Sequence, residues 1–158
     1  MVHQPRRANS STTGRQNKAA LLSDKFGKDR AALKVLNKAV RLYPDSVLAR
    51  GGRGILRARL SKRDSALADA SEALVIDPSP LTLYQVACIY AQTSKQNHPE
   101  DRREALALLS SALKNGAGLE WVDDDHDLDP VRDDPKFQEI VTAARALEAR
   151  PIEKDERK

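Results

Sequence analysis

Apolar residues recur at intervals of three and four over most of this chain. Ala31, Ala32, Val35, Leu36, Ala39, Val40 and Leu42 make one stripe, Ala66, Leu67, Ala70, Ala73, Leu74 and Ile76 a second, and Ala105, Leu106, Leu109, Ala112 and Leu113 a third. At about 100° per residue each stripe lies on one side of an α-helix, so three helices of one kind are predicted. Another helix precedes each of them, from Gln16 to Phe26, Val47 to Leu60 and Leu81 to Thr93. The breaks within these pairs, at Gly27-Lys28, at residues 61–64 and at residues 94–101, are short enough to fold each pair antiparallel. A last helix, Pro135 to Ala149, turns Phe137, Ile140, Val141, Ala144 and Leu147 inward. Residues 1–15 and 150–158 are polar and lack periodicity, so both are expected to be disordered.

The second stripe stops at Asp77-Pro78, and Pro44 lies 34 residues earlier. The same step of 34 carries Ala32 onto Ala66 and Ala39 onto Ala73. Proline lacks the N–H that a helix interior needs but fits a first turn, so Pro78 closes one unit and opens the next.

With small residues at Gly54 and Cys88, at Ala32, Ala66 and Ala105, and at Ala39, Ala73 and Ala112, this period resembles the tetratricopeptide repeat. "SALADASEALVIDP" matches the second half of such a repeat closely, and the order "LYQVACIYA", loop, "REALALLSSAL", "DLDPVRDDPKF" looks like the repeat tails of certain large bacterial serine/threonine protein kinases and their free-standing relatives. The resemblance implies an all-α helical-repeat domain over residues 16–149, a superhelix of units at about 13–46, 47–80 and 81–118 with a capping segment over 119–149. It also implies a non-catalytic protein–protein interaction module that holds a peptide or helix on its concave face. No Gly-rich loop, catalytic Asp loop or Asp-Phe-Gly is present, so the kinase itself is excluded.

Composition agrees with packed helices: 158 residues, 4% aromatic and 32% charged. Cys88 is the only cysteine, no apolar run reaches a membrane span, and the first residues lack the apolar core of a signal peptide, so a cytoplasmic protein is expected. The net charge of +4 is unevenly spread. Residues 1–30 carry seven Lys/Arg against two Asp, and residues 117–139 nine Asp/Glu against two Lys/Arg. The basic arm, with a stripe of Arg50, Arg53 and Arg57 on one helix, gives the alternative function, a nucleic-acid-associated protein.

Candidate chemistry is sparse. Cys88 lies mid-helix among small residues with no cation beside it, which is a packing position. Asp123, Asp125 and Asp127 alternate as in a calcium loop, but Leu128 and Asp134 stand where that loop needs Gly and Glu, and the register from Asp125 gives Pro130 and Lys136. The aspartates instead suit helix caps before Pro130 and Pro135. His3, His98 and His126 have neither zinc spacing nor a nucleophile. Neither enzyme activity, metal nor cofactor is expected.

Opposite the arginine stripe, Leu48, Gly51 and Ile55 face the concave groove that the resemblance implies, and the next helix adds Gln85, Ile89 and Gln92. The clamp that holds chaperone C-termini in such grooves needs Lys and Asn where this chain has Gly51 and Ile55. An apolar groove does not stay open to water. Either a partner segment covers it, with Gln85 and Gln92 fixing orientation, or the acidic C-terminal segment around Trp121, Leu128 and Phe137 folds back over it.

Overall fold

A computed structural model describes residues 28–149. Their elements are α1 (Asp29–Leu42), α2 (Val47–Arg59), α3 (Arg63–Ile76), α4 (Pro80–Ser94), α5 (Pro99–Lys114), a 3-10 turn (His126–Leu128), α6 (Asp129–Arg132) and α7 (Pro135–Glu148). The fold is all-α, with no strand among the described residues. The helix predicted over 16–26, the arm over 1–15 and the tail over 150–158 lie outside the described residues.

Local chemistry sets the boundaries. Ser46 and Ser79 cap α2 and α4, their hydroxyls accepting from the backbone N–H groups of Ala49 and Thr82 at 3.3 and 3.4 Å. Pro78 ends α3, but the proline in the first turn of α4 is Pro80. Likewise α5 begins at Pro99, inside the break predicted over 94–101, because proline is suited to a first turn. Asp134 caps α7 as expected, accepting from the Lys136 N–H at 3.0 Å. Asp129 does not cap α6; it is the helix's first residue, and its carboxylate takes Arg132 instead.

Two helices end in the same motif. After α2, the N–H of Lys62 reaches Arg57 O at 2.8 Å and that of Ser61 reaches Ala58 O at 3.0 Å, with Ser61 left-handed at φ 59°. After α5 the pattern repeats through Ala117 to Ala112 and Gly116 to Leu113, with Gly116 at φ 85°.

Helix α2 packs on α1, α3 and α4, and α4 on α5. The alanines aligned by the 34-residue step, Ala32 with Ala66 and Ala39 with Ala73, are fully buried, as are Ala105 and Ala112. Gly54 lets α4 approach closely: a Cβ there would lie 2.5 Å from Ile89 Cδ1. The largest core cluster joins α4 and α5 to Val122, Leu128, Val131, Phe137 and Val141, so residues 119–149 share one core with these two helices. Arginine forks bind helices that are not consecutive. Arg63 on α3 donates to both Asp101 oxygens on α5 at 2.8 and 2.7 Å, and Arg102 on α5 reaches Asp134 at 2.9 Å.

Candidate functional site

The two faces of α2 have opposite fates. Its arginine stripe is turned onto α3, where Asp69 is 1% exposed. Arg53 grips that carboxylate at 3.0 and 2.6 Å, Arg57 adds a third bond at 2.8 Å, and Arg50 stands 3.8 Å away while pairing with Glu72 and donating to Pro44 O. The basic stripe expected to be available for phosphates is therefore an internal ion cluster: Arg50, Arg53 and Arg57 present no open cationic face. The physical reason is Asp69 itself, a carboxylate on the inward side of α3 that must be paired with cations to be buried.

The apolar face of α2 meets α4 at Gly51, where a Cβ would lie 2.5 Å from Gln85 Oε1. From this contact the groove residues divide. Ile89 is core, packed among Ala66, Ala70 and Ala73. Gln92 is buried too, and its Nε2 donates to Asp127 O at 2.9 Å. Ile55 is half-buried between the two larger core clusters. Leu48 remains exposed at 42%, and Gln85 is half-buried with its Oε1 lacking a hydrogen-bond donor. Of the six residues expected to line an open groove, then, Ile89 and Gln92 are buried, Ile55 and Gln85 are half-buried, Gly51 is covered by Gln85, and Leu48 is exposed.

Gln92 is covered by the chain's own acidic segment, which also binds the end of α2 and the Tyr84 side of α4. Arg59 at the end of α2 forks Asp127 at 2.7 and 2.8 Å. Tyr84 on α4 donates its hydroxyl to Asp125 at 3.0 Å, and Cys88 Sγ lies 3.7 Å from the same oxygen. Gly118 makes the approach possible: it sits at φ 97°, and a Cβ would lie 2.1 Å from the Tyr84 ring. Burial, with Asp125 close by, holds both the Tyr84 hydroxyl and the Cys88 thiol protonated well above their ordinary ranges. These surroundings disfavour a thiolate at Cys88. Within the C-terminal segment Leu128 and Phe137 are buried, as self-coverage required, but Trp121 stays 46% exposed.

The alternating aspartates are drawn apart. Asp123 pairs with Arg145, Asp125 takes Tyr84 and Asp127 takes Arg59. No cluster among the described residues is arranged to hold a metal ion, and none of their helices is long and apolar enough to cross a membrane. Sequence reasoning missed Asp69 and Arg59. Asp69 did leave a signal, since it shares a face with Ala66, Ala70 and Ala73; the Arg59–Asp127 pair, 68 residues apart, left none. Comparison with protein-family models and with curated proteins yields no match to the chain.

Proposed function

We propose that the chain is a non-catalytic protein–protein interaction module of tetratricopeptide-like helix pairs, cytoplasmic in setting, which takes an apolar peptide or helix at the open end of its concave face. One observation carries the proposal. Leu48 stands 42% exposed on α2, one turn before Gly51, the residue that Gln85 covers. An incoming apolar segment could cover the leucine. The remaining groove positions support a shorter site than an open superhelical groove offers, because Gln92 already reads the backbone of residues 126 and 127 as it would read a peptide.

The test is a pull-down from native lysate, with and without nuclease, comparing wild type with Leu48→Glu. Leu48 is exposed, so the variant should stay folded, with a stability change within about 0.5 kcal/mol. A protein partner that survives nuclease and is lost with Leu48→Glu supports the proposal. Equal capture by the variant removes the site, and capture abolished by nuclease moves the function to nucleic acid.

A further inference from the structure

Behind the acidic segment lies a hollow of about 370 Å³ with an aromatic wall. It is lined by Arg59, Glu120, Trp121, Asp124, Asp125 and Asp127, together with His126. Trp121 is the chain's only tryptophan and almost half its surface is open, although most other large apolar side chains in this half of the molecule are buried. Its ring is braced: it meets Tyr84 edge-on, with centroids 5.9 Å apart and planes at 73°. Tyr84 is in turn fixed by its bond to Asp125. The backbone also holds the wall in place, because the N–H groups of Asp124 and Asp125 both donate to Trp121 O at 3.0 Å.

Four carboxylates share this hollow with a single guanidinium. Asp127 is engaged by Arg59 and Asp125 by Tyr84, whereas Glu120 and Asp124 are exposed and have no ion-pair partner among the described residues. We propose that the hollow is a docking site for a basic segment of a partner protein, an arginine or lysine side chain lying on the Trp121 face with its charge between Glu120 and Asp124.

The argument is one of complementarity. An indole face attracts a cation through its quadrupole, and the attraction is added to that of nearby carboxylates. An anionic ligand would meet repulsion from four acids. A metal ion would keep its waters and oxygen ligands in preference to the aromatic wall, and the space is far larger than one ion fills. A guanidinium or ammonium on an aliphatic stem matches all three features, because the stem covers apolar ring surface while the head stays with the acids. The site names a chemistry within the interaction-module reading but uses a different face from Leu48, so failure at Leu48 leaves it standing and its own failure leaves the Leu48 site untouched.

The lone tryptophan reports directly on occupancy. The full chain is titrated with an acetylated, amidated Gly-Arg-Gly-Lys-Gly peptide and, separately, with its Gly-Glu-Gly-Glu-Gly counterpart, and Trp121 emission is followed. The expected result is a saturable change with the basic peptide only, weakened as salt is raised. In Glu120→Gln/Asp124→Asn, whose folding is checked by circular dichroism, the dissociation constant should rise about fivefold or more. No saturable change, an equal response to the acidic peptide, or unaltered binding by the double variant would overturn the proposal. So would binding that emerges only when Arg6, Arg7 and Arg15 are changed to Glu in the full chain, since the hollow would then serve the chain's own basic arm. A tryptophan signal that depends on protein concentration without peptide overturns it too, in favour of a second copy.

Discussion

Asp69 accepts three hydrogen bonds from Arg53 and Arg57 while Arg50 stands 3.8 Å away, all inside the contact between α2 and α3. Replacing the carboxylate by an amide keeps the shape but leaves Arg53 and Arg57 packed together without their counter-charge, and one of the two former acceptor oxygens becomes a donor facing donors. Breaking a buried ion cluster from one side costs about 3–5 kcal/mol. Asp69→Asn should therefore shift the urea midpoint strongly downward, whereas Arg145→Ala, which removes a solvent-exposed pair with Asp123, should change stability by less than about 1 kcal/mol. Equal midpoints for the two variants would mean that water already reaches the arginines. The cluster was legible in principle. Position 69 falls on the stripe of Ala66, Ala70 and Ala73, and a carboxylate inside an apolar stripe demands cations on the neighbouring helix, where positions 50, 53 and 57 supply them. Reading α2 alone conceals this, because an arginine stripe with no stated partner looks like a solvent face.

Among the helix ends, only the Asp134-Pro135 start of α7 was legible in the sequence, since Pro78 precedes the helix it was expected to open and Asp129 lies inside the one it was expected to cap. Several ends are nonetheless marked by local chemistry: Ser46, Ser79 and Asp134 as caps, Pro80, Pro99 and Pro135 in first turns, Gly116 after α5. Ser61 is the exception, since it occupies at φ 59° the left-handed slot that glycine fills after α5. Its Cβ makes that conformation costly, by about 1 kcal/mol. Ser61→Gly removes the strain, against a loss of its own through a freer unfolded chain, and should leave the protein about 0.5 kcal/mol more stable in chemical denaturation. A destabilised variant would show that the turn after α2 needs the serine. The links between elements titrate. Burial alone would raise the Asp101 carboxyl, but the Arg63 fork and the Thr93 hydroxyl outweigh it and hold it below the ordinary carboxylate range. Because the folded value is the depressed one, the stability it gives is fully present above the unfolded value of about 3.9 and is lost as pH falls through the folded value. Acid unfolding of the wild type should steepen below about pH 4, and Asp101→Asn, less stable at neutral pH, should show a shallower acid limb. Parallel acid limbs would place the controlling carboxylates elsewhere, Asp134 with Arg102 being the next pair to examine.

At the scale of the molecule, the sequence left one choice open, whether the groove serves a partner or the chain itself, and the pattern is the same in both cases because an apolar face has one signature whatever covers it. The deciding contacts join residues far apart: Gln92 with Asp127, Tyr84 with Asp125, Arg59 with Asp127. Periodicity carries no trace of such pairs. What they produce is a segment laid over Cys88, and since that thiol is the chain's only one, it measures how firmly the segment is held. Reagent can reach the sulfur only when residues 119–128 lift from α4, and until then burial and Asp125 keep the thiol protonated. In native buffer, labelling by a disulfide reagent should be slow beside the rate in denaturant. Arg59→Ala cuts the fork that ties Asp127 to α2 and should speed labelling severalfold at unchanged helix content, while Arg145→Ala, which loosens only an exposed pair, should not. If both variants label at the wild-type rate, opening is governed by the apolar anchors Val122 and Leu128, and the charged fork only orients a segment that the core already holds.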